Sequence, residues 1–407
     1  MNQKQEQEIL NNKKSSKKSK SKNKSKPKNK KSKESSQILF SIYLGTYEGK
    51  IIVNNINIKT KENISNFSFT SSQNAIRTIY HKSGSLFVSG TDEIIHMFDV
   101  SKKVSEGDLM TYSGSVNDIK ISNNYLIVAG ENNTIPNWRM SDFNNIIELK
   151  GHKKAINSID IHSSGGILVS ASRDKCVIIF DLLTGRKIEK LEFDFICNKV
   201  ELFDKDKYLM VVFDLHVYIL DLMKNSHGND NIIQKLNFNK KILNAFVVKN
   251  KLIILFTDGE IITYKLNIKD EENNINEKKE NEEENNIDKE AYEEGEDIIN
   301  INSKLNIILE KPNKKNENDL DIKARFVSIS KIDKIRIITI SYSNNEVYFY
   351  DLNKIIKYEQ IENKKEEKNE IKEENDESKV NYIKKYGKIE YNIPEKITAL
   401  DSELTKI

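Results

Sequence analysis

The feature that most constrains this chain is a strand pattern in residues 151–181, which read GHKKAINSIDIHSSGGILVSASRDKCVIIFD. A Gly-His pair opens the segment, and short alternating or apolar runs follow, separated by small or polar turn residues. Phe180 lies 29 residues after Gly151, a length that fits the short strands of one repeat. A single unit of this kind cannot bury its own faces. The pattern therefore predicts several copies packed side by side.

The segment resembles a WD40 repeat, whose four strands form one blade of a β-propeller. Similar runs recur at the same period, and we interpret them as blades two to seven at residues 75–100, 116–140, 151–193, 199–222, 242–310 and 324–352. Blade one shows only two runs, at 40–45 and 50–56, and residues 396–400 (KITAL) can supply its missing innermost strand. The sequence predicts an all-β, seven-bladed WD40 β-propeller over residues 38–404.

Charge is distributed very unevenly along the chain, although its net charge is only +3. Residues 1–36 hold thirteen Lys and three Glu, and residues 270–297 hold fourteen Asp or Glu and three Lys. Such blocks cannot form a core. We predict a disordered basic tail over 1–36 and low-complexity acidic insertions over 267–300 in blade six and 353–382 in blade seven. By strand order, all three should leave the propeller from one face.

The sequence gives no indication of catalysis, a cofactor or a metal. Cys176 and Cys197 lack the spacing of a metal site or a disulfide framework, and the histidines are scattered. There is no phosphate-binding loop, and no nucleophile accompanies His152 and Asp174. The longest apolar run, 208–222, is interrupted by polar residues and too short for a membrane span, and the N-terminus is no secretory signal. We expect a soluble intracellular protein that is not an enzyme, with no cofactor, metal, membrane or small-molecule substrate.

Blade four carries the residues of a hydrogen-bonded structural tetrad, which we assign to His152, Ser172, Asp174 and Phe180. A buried His bonded to a turn Asp would fix the loop and satisfy two polar groups at once. Phe180 stands where the repeat usually has Trp, and it cannot donate a hydrogen bond.

Three cations beside this tetrad are candidates for a partner-binding face: Lys153, Lys154 and Arg173. Lys153 and Lys154 follow the Gly-His pair, and Arg173 precedes the tetrad Asp. Both loops belong to the face of a WD40 propeller where ligands commonly bind.

The N-terminal tail is a candidate for nuclear targeting and phosphate contact, because lysines on a flexible chain neutralise phosphates without reading sequence. The lysines concerned are Lys13, Lys14, Lys17, Lys18, Lys20, Lys22, Lys24, Lys26, Lys28, Lys30, Lys31 and Lys33. No aromatic residue lies among them, so base stacking is not expected. The alternative interpretation is a solvated low-complexity extension.

A narrower resemblance comes from three segments: LGTYEGKI at 44–51, IIHMFDVSKK at 94–103 and YSGSVNDIKI at 112–121. They are similar to the first three blades of the PAK-interacting-protein-like WD40 family. The resemblance extends over residues 40–195, and only periodicity supports it further on. In that family the lysine-rich tail is usually C-terminal, whereas here it is N-terminal. The acidic insertions have no clear family counterpart.

The resemblance implies a non-catalytic scaffold in nucleolar assembly of the large (60S) ribosomal subunit. Its implied partners are pre-ribosomal proteins and rRNA of the large-subunit precursor, and its implied location is the nucleolus or nucleus. Animal members of the family are also described as negative regulators of a protein kinase. The alternative hypothesis is therefore a regulatory adaptor that binds a protein kinase or a ubiquitin-ligase component.

Overall fold

The computed structural model describes most of the predicted propeller. The described residues are 38–60, 62–71, 74–111, 114–224, 228–248, 250–267, 300–309, 312, 322–332, 335–353, 381–383, 387–390 and 396–406. The predicted tail, with its lysines Lys13 to Lys33, and most of the two acidic insertions lie outside this part of the chain.

Blades one to three consist of four strands each. Blade one contains β1 (Ile38–Thr46), β2 (Lys50–Asn57), β3 (Asn63–Thr70) and the C-terminal β29 (Ile397–Lys406). Blade two contains β4 (Ile76–Lys82), β5 (Ser85–Gly90), β6 (Ile94–Asp99) and β7 (Val104–Met110). Blade three contains β8 (Val116–Ser122), β9 (Tyr125–Gly130), β10 (Thr134–Arg139) and β11 (Asn144–Lys150).

The same order continues through the rest of the chain. Blade four contains β12 (Ile156–Ile161), β13 (Ile167–Ser172), β14 (Cys176–Asp181) and β15 (Lys187–Glu192). Blade five contains β16 (Lys199–Phe203), β17 (Tyr208–Val212), β18 (His216–Asp221), a 3₁₀ turn (Gly228–Asn231) and β19 (Ile232–Asn237). Blade six contains β20 (Ile242–Val247), β21 (Lys251–Phe256), β22 (Glu260–Asn267) and β23 (Asn300–Leu309), with β27 (Asn381–Ile383) as a fifth strand. Blade seven contains β24 (Ala324–Ile332), β25 (Ile335–Tyr342), β26 (Glu346–Asp351) and β28 (Gly387–Glu390).

The seven sheets form a closed ring, so the predicted all-β, seven-bladed propeller is confirmed. The innermost strands β29, β4, β8, β12, β16, β20 and β24 contact one another in that order, and β24 returns to β29. Each of the seven junctions between adjacent blades contains its own cluster of buried apolar side chains. Because the apolar area is shared between neighbours, no blade is stable alone.

The C-terminal strand completes blade one as predicted, although it is longer than residues 396–400. β29 pairs antiparallel with β1 from Thr46↔Ile397 to Ile38↔Lys406. Ile397 and Ala399 are buried against the neighbouring blades. The strand continues past Leu400 because β1 offers it pairing partners along its whole length.

The end of the predicted insertion in blade seven is a strand rather than a loop. Residues 381–383 pair in parallel with β23 at the outer edge of blade six, with Ile307↔Asn381 and Leu309↔Ile383. The chain therefore covers three residues of the edge of blade six before it forms the outer strand of blade seven. A covered edge cannot pair with another molecule. The insertion in blade six begins and ends at the paired residues Asn267 and Asn300.

Candidate partner-binding face

One end of the propeller, here called the upper face, is formed by the loops between blades and by the hairpins between second and third strands. Six innermost strands carry a one-residue bulge where they start at this face. The bulged residues are Arg77, Asn117, Asn157, Leu243, Arg325 and Thr398. A bulge redirects a side chain out of the strand's alternation. The bulges thus form a ring around the upper opening of the central channel.

Four cations line the cavity at this opening, which has a volume of about 510 Å³. Arg77 and Arg325 come from the bulges, Arg173 from the β13–β14 hairpin, and Lys396 from the residue before β29. We call this group the cationic mouth. It draws on four blades, and ring closure brings its members together.

Glu131 is an anion beside the cationic mouth. Its carboxylate lies 3.1 Å from Arg77 and 3.7 Å from Arg173. Arg173 also donates from Nε to Oδ1 of Asn157 at 3.1 Å, and Asn157 donates to the carbonyl of Cys197 at 2.9 Å. A continuous polar chain therefore runs across the upper face from blade two to blade five.

An apolar patch adjoins the end of this chain on blades four and five. Phe195, Ile196 and Leu215 are 39%, 46% and 40% exposed. The ring of Phe195 stacks on His216 at 4.2 Å and lies edge-on to Phe213 at 5.9 Å. These contacts hold Phe195 in place while leaving part of its surface in water.

Below the mouth, acidic side chains of the innermost strands join adjacent blades. Asp118 accepts the N–H of Ile159 at 3.0 Å, and Asp160 accepts that of Leu202 at 2.7 Å. Lys120 lies 3.8 Å from Asp160. Burial would lower the pKa of Lys120, but the carboxylates of Asp118 and Asp160 outweigh burial and raise that pKa above its usual value. Since these charges pair with one another, they hold the blades together.

The predicted tetrad forms around His152, with one correction. Nδ1 of His152 lies 3.0 Å from the Asp174 carboxylate. Nε2 lies 2.8 Å from Oγ of Ser170, not of Ser172. Ser172 instead accepts the N–H of Asp174 at 3.1 Å and donates to the carbonyl of Ala155. The two serines are two residues apart and share one side of β13, so alternation alone could not show which one reaches the ring.

Phe180 supports the tetrad by packing and not by hydrogen bonding. Its ring is fully buried and lies edge-on to His152, with ring centres 6.4 Å apart. A side chain at Gly151 would come within 3.5 Å of the Phe180 ring.

The electrostatics of the His152–Asp174 pair are those of a structural pair. Burial lowers the pKa of His152, which keeps the ring neutral. Burial would raise the pKa of Asp174, but the N–H of Lys153 and the His152 ring hold it below its usual value. With a neutral ring, Nδ1–H donates to Asp174, and the single hydroxyl proton of Ser170 is shared between Nε2 at 2.8 Å and the carbonyl of Ile178 at 3.1 Å.

Lys153 and Lys154, together with Arg173, are exposed on the upper face. Arg173 belongs to the cationic mouth, whereas the two lysines do not line its cavity. The sequence did not single out Arg77, Arg325 or Lys396. A signal was present for the bulges: in several blades a β-branched residue is followed by a polar one, as in Ile76-Arg77 and Ile156-Asn157.

A second histidine pair, in blade two, was also missed. Nδ1 of His96 lies 2.7 Å from Asp108, and Nε2 lies 3.2 Å from Asp92. Asp92 occupies the hairpin position that Asp174 has in blade four, but its His comes from the third strand. The spacing therefore differs from that of the Gly-His loop.

The described residues contain no group of three or more His, Cys, Asp or Glu that could hold a metal ion. Cys176 and Cys197 are both buried and free. Within the same part of the chain, no helix is long and apolar enough to cross a membrane.

Comparison with known proteins agrees with this architecture. The family described as "WD domain, G-beta repeat" matches residues 143–181. "p21-activated protein kinase-interacting protein 1-like" of Danio rerio is 27% identical over 203 residues, 47% of this chain and 50% of that protein. The Xenopus laevis protein of the same name is 26% identical over 174 residues, 42% of this chain and 46% of that protein. "Protein MAK11" of Saccharomyces cerevisiae is 25% identical over 179 residues, 38% of this chain and 43% of that protein.

The match thus spans about half the length of these curated relatives. The names of these relatives agree with the family resemblance seen in the sequence. The chain is a seven-bladed WD40 β-propeller that is similar to the p21-activated protein kinase-interacting protein 1-like proteins.

Proposed function

We propose that the protein is a non-catalytic WD40 scaffold in nucleolar assembly of the large (60S) ribosomal subunit. The observation that carries this proposal is the cationic mouth on a rigid upper face. Arg77, Arg173, Arg325 and Lys396 line one cavity, and Glu131 is the acidic side chain that pairs with two of them. A fixed cationic opening suits the acidic proteins and RNA phosphate of a pre-ribosomal particle.

The sequence resemblance supports the same conclusion, and the N-terminal lysines would add phosphate contact that does not depend on RNA sequence. The geometry of the His152–Asp174 pair supports a non-catalytic role. Both side chains are buried, and their remaining contacts are to a serine and to backbone groups. No substrate could reach them without unfolding the loop.

Sedimentation of the tagged full chain in nuclear extract tests the proposal. Co-migration with large-subunit precursors is expected, and a light position at low salt would contradict it. Charge reversal at Lys153, Lys154 and Arg173 should weaken co-migration, because all three are exposed on the upper face. Such exposed substitutions change stability by only about 0.5 kcal/mol. Normal co-migration of the triple variant would remove these residues from the partner face.

The second candidate is a regulatory adaptor that binds a protein kinase or a ubiquitin-ligase component. The name of the Danio rerio relative, a p21-activated protein kinase-interacting protein, favours the kinase. An adaptor of this kind would be found in a light complex that contains a kinase and no ribosomal RNA. The same gradient therefore separates the two candidates.

A further inference from the structure

The cationic mouth contains more cationic side chains than the described carboxylates neutralise. Glu131 pairs with Arg77 and Arg173. Within the described part of the chain, Arg325 and Lys396 form no ion pair with a carboxylate, although both line the same cavity. Lys396 is exposed and Arg325 is half-buried. A concave site with two uncompensated cations attracts an anionic group.

The contacts of Glu131 show which anionic group this geometry accepts. One carboxylate lies within 3.7 Å of two guanidinium groups that come from different blades. Arg is the residue best suited to paired hydrogen bonds with a carboxylate. A second carboxylate, from outside the chain, could bind Arg325 and Lys396 in the same manner.

The apolar patch beside the mouth distinguishes a polypeptide from RNA as the source of that carboxylate. Two of its three side chains, Ile196 and Leu215, are aliphatic and about half-exposed, and the ring of the third, Phe195, already stacks on His216. Aliphatic side chains offer no stacking surface for bases, whereas they bind apolar side chains of a peptide. The polar chain from Arg173 through Asn157 to the Cys197 carbonyl joins the mouth to the patch without a gap.

We propose that the cationic mouth and the adjoining apolar patch together bind an extended acidic segment of a partner protein, with its carboxylates at Arg325 and Lys396 and its apolar side chains at Ile196 and Leu215. The segment would cross the upper opening of the channel. This inference deepens the proposed function, since it names the partner's chemistry at the same face, and it can be tested without any ribosomal particle.

The test is fluorescence anisotropy with the full chain and a short labelled peptide of Glu and Asp with a central Leu-Phe pair. The mouth variant is Arg325→Glu with Lys396→Glu. Its matched control is Arg186→Glu with Lys187→Glu, an exposed Arg at the end of the β14–β15 loop and an exposed Lys at the start of β15, on the opposite face. Both variants keep the N-terminal lysines and change the charge equally, so the difference between them isolates the mouth. Unchanged melting temperatures would show that both are folded.

We expect the mouth variant to bind the peptide at least about tenfold more weakly and the control by less than about twofold. The variant Ile196→Ser with Leu215→Ser should weaken binding of this peptide but not of one with Ser-Ser at its centre.

Equal affinities of the two charge variants would overturn the proposal. A mouth variant that loses a uridine oligonucleotide of the same length but keeps the peptide would assign the surface to RNA and also overturn it. If the charge variant did not fold, Arg325→Gln alone would give the same comparison. Peptide binding without co-migration with large-subunit precursors would refute the proposed function alone.

Discussion

Asp401 accepts the backbone N–H of His81 through Oδ2 at 3.0 Å, although the two residues lie 320 positions apart in the chain. Its other oxygen accepts the hydroxyl of Ser328 at 3.1 Å. One carboxylate of the C-terminal strand thus joins blade one to blade two on one side and to blade seven on the other. The same kind of bond, from a carboxylate to an N–H of the next innermost strand, recurs at Asp118, Asp160 and Glu201.

Removal of residues 394–407 should therefore open the ring. The deletion would leave β1 without its inner partner and remove the two bonds of Asp401 to adjacent blades. It would also expose the apolar side chains that Ile397 and Ala399 contact in two of the clusters between blades. We expect a melting temperature lower by many degrees and aggregation through the exposed strand edges.

Calorimetry and light scattering check this result, and deletion of residues 1–36 serves as the control. The tail deletion should melt like the parent chain, since its composition cannot contribute to a core. An unchanged, monomeric melting profile of the C-terminal deletion would show that β29 is dispensable.

The buried carboxyl of Asp401 should also make stability depend on pH. Burial raises its pKa to about 6, although the bonds from Ser402, His81 and Ser328 act in the opposite direction. The folded protein then keeps a proton that the unfolded chain has lost above about pH 4. Hence this group contributes stability below about pH 4, and that stability is lost as pH rises to about 6.

The variant Asp401→Asn removes this titration. The free energy of unfolding of the variant minus that of the parent should rise by about 2–3 kcal/mol between about pH 4 and pH 7. His81, whose pKa burial lowers to about 4, is present in both proteins, and the pKa values of Lys120 and Tyr80 are raised, so neither of these two groups changes its charge between about pH 4 and pH 7. Their contributions therefore cancel in the difference. Urea denaturation at both pH values measures this difference in the free energy of unfolding. A difference that stays constant would mean that Asp401 is ionised over the whole pH range.

The blade pattern could be predicted because alternation and turn residues are local signals. Gly259 has a positive φ of 80°, as its hairpin requires, and the Asp-Gly pair marks that turn in the sequence. The C-terminal strand could be assigned to blade one because the sequence of that blade lacked an innermost strand. In contrast, the pairing of β27 with blade six is parallel and only three residues long, and so short a segment has no pattern of its own.

The cationic mouth was not predictable in the same way. Arg77, Arg325 and Lys396 come from blades two, seven and one, and only closure of the ring brings them to one cavity. The bulges also shift alternation by one residue at the strand start, which hides the inward direction of these side chains. Arg173 could be found because it adjoins a recognisable tetrad Asp.

Asp174→Ala should destabilise the propeller. The carboxylate accepts the N–H of Lys153 at 2.8 Å and of Cys176 at 3.1 Å as well as bonding His152. Loss of a partner for a buried group costs about 1–3 kcal/mol. Urea denaturation should show a loss in that range. Asp194→Ala, at an exposed Asp of the same face, should change stability by no more than about 0.5 kcal/mol.

Ser170→Ala and Ser172→Ala test the corrected assignment in the same blade. Ser170→Ala removes the partner of His152 Nε2, so it should change the titration of the His152 ring measured by NMR. Ser172→Ala removes bonds to Asp174 and Ala155 and should leave the ring's Nε2 contact in place. A larger effect of Ser172→Ala on the Nε2 resonance would contradict the geometry.

The opposite charges of the tail and the acidic insertions predict a competition for RNA, although these segments lie outside the described residues. Residues 1–36 carry a net charge of +10 and residues 270–297 a net charge of −11, and residues 359–378 add nine acids against four lysines. At physiological salt the Debye length is about 8 Å, so such charges attract each other only near contact. The acidic side chains would bind the lysines until RNA phosphates, at a higher local density of negative charge, displace them.

Deletion of residues 270–297 should therefore raise the affinity for random RNA, most clearly at low salt, without changing the melting temperature. Deletion of residues 13–33 should lower that affinity. Equal RNA affinity of the acidic-loop deletion and the parent at low salt would show that the two charge blocks do not interact.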